Sequence, residues 1–192
     1  MVSRLRCFIG GILFCFFSSS FALHATENDD LVKAMMEVYA EELAANPQDY
    51  RTYYSRAMAY FGQGDMKKAL SDIDNAIKYF PRKEKDDLAQ AYLLRAKILS
   101  ERGETKSALT DLNSALRLVP NHRLALKDRG DLLCRLGQYD MAKIDYNHLL
   151  RMDTRSQSAF MGLARVEAHT GQPVRAKDLL AQAVNLLSLI HI

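Results

Sequence analysis

Four glycines constrain what this 192-residue chain can fold into. Gly64, Gly103, Gly137 and Gly171 are separated by 39, 34 and 34 residues, and Ala69, Ala108, Ala142 and Ala176 repeat those intervals. A third column, Ala57, Ala96, Gly130 and Ala164, does so again. Large apolar residues make two more columns: Tyr53, Tyr92, Leu126 and Phe160, then Ile73, Leu112, Tyr146 and Leu180. Ala76, Ala115, Leu149 and Ala183 form a sixth. A unit of this size cannot bury an apolar face alone, so self-similarity at a fixed period means units stacked on their neighbours.

Each unit holds two amphipathic stretches. In the first unit Tyr53, Ala57 and Tyr60 share one helical face, and Leu70, Ile73, Ala76 and Ile77 share another. Gly62-Gln63-Gly64-Asp65 parts them, with glycine free to take the left-handed conformation that ends a helix. Alanine and glycine columns are a packing demand, because two helices come close only where side chains are short. Pro47, Pro81 and Pro120 punctuate the unit ends, Thr154 stands where a further proline would fall, and Pro173 suits the first residue of a helix.

These columns resemble the tetratricopeptide repeat family over residues 50–186. The resemblance implies an all-α, right-handed α-solenoid of helix-turn-helix repeats. The units read as 50–83, 89–122, 123–156 and 157–186, after a capping helix within 23–49. Five extra residues, Glu84 to Leu88, are expected to lengthen the first helix of the second unit, where Glu84, Asp86 and Asp87 suit the helix dipole. Glu167 departs from its column, where Tyr60, Leu99 and Leu133 stand.

One polar feature also repeats. Arg56, Arg95 and Arg129 share a column on the first helix, and Asp72, Asp111 and Asp145 share one on the second. In the fourth unit both change together, to Leu163 and Leu179. Joint replacement of an ionic pair by an apolar pair predicts contact between the two helices of each unit.

The ends read differently. Arg4 and Arg6, an apolar run from Cys7, and Ser20-Phe21-Ala22 make residues 1–22 a secretory signal with cleavage after Ala22. The run from Cys7 to Ala22 is 16 residues, short of the roughly 20 that a spanning helix needs. No membrane span is expected after cleavage, and the destination is the periplasm or cell envelope, or the medium. Removing the segment takes two of the 26 basic residues and none of the 23 acidic ones, leaving a net charge of +1. That balance does not suit a nucleic-acid surface. It also leaves Cys134 as the one cysteine, without an internal disulfide partner, read as a small buried apolar side chain. The last six residues, 187–192, match an in-frame sequencing-library adaptor, so the natural sequence is expected to diverge near Asn185.

Catalysis needs converging nucleophiles, acids or ligands. His24, His122, His148, His169 and His191 never fall four residues apart, and no glycine-rich phosphate loop is present. No catalytic residue, metal site or cofactor is expected. What remains is surface. The resemblance places the first helix of each unit along an inner concave face. There the partner-binding residues are Arg51, Tyr54, Met58 and Phe61, then Gln90, Leu93 and Lys97, then Lys127 and Asp131, then Met161 and Arg165. Ser100, Leu124, Cys134 and Ser158 fall on the same stripe. Aromatics and methionines with spaced charges suit a protein or peptide partner. Some relatives hold a C-terminal carboxylate with polar grips, but Tyr54, Met58 and Leu94 occupy those places here. The expected function is an exported scaffold or adaptor. The alternatives are the docking or sensory portion of a longer envelope protein or enzyme, and self-association through the apolar face of the last helix.

Overall fold

The structure, a computed structural model, describes residues 30–188. The expected signal peptide and its cleavage site lie outside the described residues, as do residues 23–29 and 189–192. The described chain is nine helices without a strand. They are α1 (30–45), α2 (Tyr50–Gly62), α3 (Met66–Tyr79), α4 (Lys85–Glu101), α5 (Thr105–Leu118), α6 (Arg123–Arg135), α7 (Tyr139–Met152), α8 (Gln157–His169) and α9 (Pro173–Ser188). Each helix packs on the next in sequence from α2 onward, and first helices also touch across units, so the units form an α-helical repeat solenoid.

The glycine column makes the turn inside each unit. Gly64, Gly103 and Gly171 have φ of 79° and Gly137 has 72°, the left-handed region where a side chain strains the backbone. Around Gly64, Asp65 N–H donates to Tyr60 C=O at 2.9 Å and Gly64 N–H to Phe61 C=O at 3.0 Å. This nested pair satisfies carbonyls that a helix end leaves bare. The same pair recurs around Gly103, Gly137 and Gly171. Asp65 then opens α3, its carboxylate accepting from Lys68 N–H at 3.1 Å.

The columns lie in the core. Ala57, Ala69, Ala76, Ala108, Ala115 and Ala142 are fully buried, as are Ile73 and Tyr146. Leu180, expected to join Ile73, Leu112 and Tyr146, is 47% exposed instead. The difference is position. A following first helix covers α3, α5 and α7, while no described helix lies beyond α9. Of the five extra residues, Glu84 caps α4 and Lys85 to Leu88 form its first turn, giving it 17 residues against 13 for α2, α6 and α8.

The repeated ion pairs join the two helices of each unit. Arg56 donates to Asp72 through Nε at 2.6 Å and Nη2 at 2.9 Å. Arg95 meets Asp111 at 2.7 Å through both nitrogens, and Arg129 meets Asp145 at 2.8 and 2.6 Å. The three aspartates are buried and the three arginines are only about a quarter exposed. Two-point guanidinium–carboxylate contacts are the strong, geometrically specific kind. Arg95 and Arg129 also reach the preceding unit, donating through Nη1 to Asp74 and Asn113 at 2.8 Å. In the fourth unit Leu163 is buried and Leu179 packs against the same core. Glu167, the other departure, is buried as a paired charge, accepting from Lys143 Nζ of α7 at 2.7 Å with Arg175 at 3.5 Å. Lys143 first, then Arg175, hold its carboxyl below the usual range, against the opposing push of burial.

Candidate protein-binding groove

A pocket of about 450 Å³ opens between α4 and α6 and takes its walls from α2 and α8 as well. The four first helices therefore share one groove. Its apolar surface comes from Phe61, Ala96, Leu112 and Leu132, with Lys97, Arg135 and Arg165 facing Glu101, Asp128 and Asp131. A smaller pocket of about 300 Å³ lies toward the N-terminal end, lined by Tyr50, Arg51, Tyr54, Ser55, Phe80, Asp87 and Gln90.

The residues singled out in sequence sort into three groups. Lys127, Asp131 and Arg165 come together. Asp131 accepts from Lys127 Nζ, from the Tyr146 hydroxyl and from Arg165 Nη1, each at 2.8 Å. Burial alone would raise the Asp131 carboxyl, but these donors outweigh it and hold it below its ordinary value. Phe61 and Lys97 wall the larger pocket; Arg51, Tyr54 and Gln90 wall the smaller. Met58, Met161 and Leu124 are about half exposed.

Leu93 is the correction. It is 3% exposed, in the same buried cluster as Ala89, Ala125 and Leu126. Lys127, one unit on, ends in an ammonium that Asp131 holds at 2.8 Å, and its side chain stays 41% exposed. Leucine has no polar end and sinks into the joint. Cys134 shares the stripe but is buried, and burial pushes its thiol up, away from a reactive thiolate.

The sequence columns did not reveal Tyr146. It stands in line with Ile73 and Leu112, yet its ring passes from α7 between α6 and α8 and its hydroxyl emerges at Asp131. The hydroxyl also lies 3.8 Å from Cys134 Sγ. A Cβ on Gly162 would stand 2.3 Å from the ring and one on Gly130 2.9 Å, so both glycines make room for it. The available signal was Gly130 itself, which breaks a column of alanines.

The described histidines have structural partners. His122 Nδ1 accepts from Ala125 N–H at 3.2 Å and caps α6, His148 lies 3.0 Å from the Asn121 side chain, and His169 stacks on Tyr139. Among the described residues, no group of three or more His, Cys, Asp or Glu could hold a metal ion. Nor is any described helix long and apolar enough to cross a membrane.

A family model described as tetratricopeptide repeat matches residues 36–84, 54–123 and 93–146, together more than half of the chain. No curated protein matches it significantly. Among solved structures, MamA superposes with a TM-score of 0.71 at 17% identity, over 80% of this chain and 86% of that one. YrrB, described as a TPR protein with an unusual peptide-binding site, gives 0.70 at 19% identity over 83% and 80%. A tetratricopeptide repeat protein of Parabacteroides merdae gives 0.73 at 26% identity over 85% of this chain and 62% of that one. Fold, repeat columns and sequence agree: the chain belongs to the tetratricopeptide repeat family.

Proposed function

We propose that this chain is an exported scaffold that holds a protein or peptide partner in the groove of its first helices and performs no catalysis of its own. The observation that carries the reading is the groove itself. Phe61 walls the same pocket as Asp131 and Arg165, whose charges are already fixed on each other and on Lys127, and the exposed Met58 and Met161 lie on the same two outer helices, α2 and α8. Anchors among pre-ordered charges lose little freedom on binding, which is where affinity is usually lost. The peptide-binding site in the description of YrrB, a protein of the same fold, supports the same use.

A photo-crosslinking residue tests it. Placed at Met58 or Met161 in living cells, it should capture discrete partners. Placed at the exposed Lys106 of α5, it should not. Equal capture from both faces overturns the groove. Export rests on residues 1–22. N-terminal sequencing of protein from fractionated cells should begin at Leu23 outside the cytoplasm, and an intact Met1 in the cytosol overturns it.

The exposed stripe of α9 favours a second reading, the array as docking portion of a longer protein. Val174 is 75% exposed and Val184 61%, an apolar surface suited to a further helix. A reading frame that continues past Asn185 into another domain supports it, and an early stop codon removes it.

A further inference from the structure

The larger pocket is the place that Tyr146 fills one unit later. A step of 34 residues carries Tyr146, Gly130, Asp131, Cys134, Gly162 and Arg165 onto Leu112, Ala96, Lys97, Ser100, Asp128 and Asp131. All six residues of the second set line the pocket. Between α6 and α8 the site is full, because the Tyr146 ring lies against two glycines and its hydroxyl donates to Asp131. Between α4 and α6 the side chain from the second helix is Leu112, which stops short, and these first helices approach less closely than α6 and α8 do.

A polar atom is also left waiting. Asp128 Oδ2 is buried and accepts no hydrogen bond. The carboxylate is only loosely held, with Lys127 Nζ 3.5 Å from Oδ1 and Lys97 Nζ 3.9 Å from Oδ2, the latter beyond hydrogen-bond reach. A carboxylate whose donors stand this far off has acceptor capacity to spare, so a guest that brings a donor is favoured. The lining narrows the choice of guest. Lys97, Arg135 and Arg165 disfavour a cationic side chain, while Asp128, Asp131 and Glu101 disfavour an anionic one such as a phosphorylated residue. A neutral aromatic ring with a hydroxyl suits the walls and the loosely held carboxylate together.

We propose that this pocket is a socket for the unmodified tyrosine side chain of a bound protein segment, whose phenol donates to the Asp128 carboxylate. The proposal rests on the groove reading, because the socket opens only into the groove.

The probe is p-cresol, the tyrosine side chain alone, with toluene as the ring without its hydroxyl. The readout is methyl-labelled NMR of the full chain. The expected result is saturable movement of the Ala96, Leu112 and Leu132 methyl signals, with toluene roughly three- to tenfold weaker, the worth of one hydrogen bond. Asp128→Ala should erase that preference while leaving toluene binding in place. Shifts that do not saturate, shifts elsewhere, or equal affinity for the two probes overturn the socket. If Asp128→Ala does not fold, the comparison of p-cresol with toluene on the unaltered chain decides alone. Groove crosslinks without p-cresol binding sink the socket and leave the scaffold reading standing. Binding of p-cresol without groove crosslinks leaves a phenol-binding pocket and overturns both the scaffold and the pocket's role as a socket for a bound segment.

Discussion

The third and fourth units solve one packing problem with opposite chemistry. In the third, a guanidinium and a carboxylate meet at 2.6 Å between the two helices. In the fourth, two leucines occupy the same place, one of them 5% exposed. Both units fold the same helix pair with the same glycine turn. The fold therefore demands that the two positions match each other, and not that they carry charge.

Breaking the match in the third unit should have the largest effect. Arg129→Leu strands the buried Asp145 and should cost about 3–5 kcal/mol, toward the lower end because the arginine keeps some contact with water. Urea unfolding measures it, and a loss below about 1 kcal/mol would show the pair to be ornamental. The mirror change, Leu163→Arg in the fourth unit, places a guanidinium against Leu179 and should cost about 1–3 kcal/mol. Adding Leu179→Asp should recover most of that. Arg129→Leu with Asp145→Leu, which copies the fourth unit into the third, should land within about 1 kcal/mol of the parent. A double change as costly as Arg129→Leu alone would break the comparison.

The smallest effect is a pH dependence peculiar to the fourth unit. Glu167 is held below its ordinary value when folded, chiefly by Lys143. Its stabilisation is thus fully present above the unfolded glutamate value of roughly 4.3 and is lost as pH falls through the lower folded value. Lys143→Met should make that acid loss shallower in unfolding curves recorded from pH 7 downward. An unchanged acid limb would remove Glu167 from the account.

Much of this was legible in the sequence, because repetition does the work of an alignment. The Gly64 column fixes the turns, and the joint change at Leu163 and Leu179 revealed a contact between helices. Depth was not legible. Leu93 and Lys127 stand in one column, yet one is buried and the other reaches water, because a helical period assigns a face and not how far a neighbour covers it. Tyr146 was hidden for a related reason. Its ring behaves like the isoleucine and leucine of its column while its hydroxyl acts at the far end, in the groove. The orphan oxygen of Asp128 belongs to the joint between two units and has no sequence signature at all.

The position of the Arg165–Asp131 bond has a consequence for the groove. Arg95 and Arg129 latch their units to the preceding ones through Asp74 and Asn113, residues of the second helices, away from the groove. The last joint is held twice, by Lys143 of α7 on Glu167 of α8 at 2.7 Å and, inside the groove, by Arg165 on Asp131 at 2.8 Å. An occupant that competes for either partner exchanges that bond for one of its own. The Lys143–Glu167 pair and the Tyr146 ring keep the third and fourth units together meanwhile, so occupancy is felt in the wall of the groove and not in the stacking of the units.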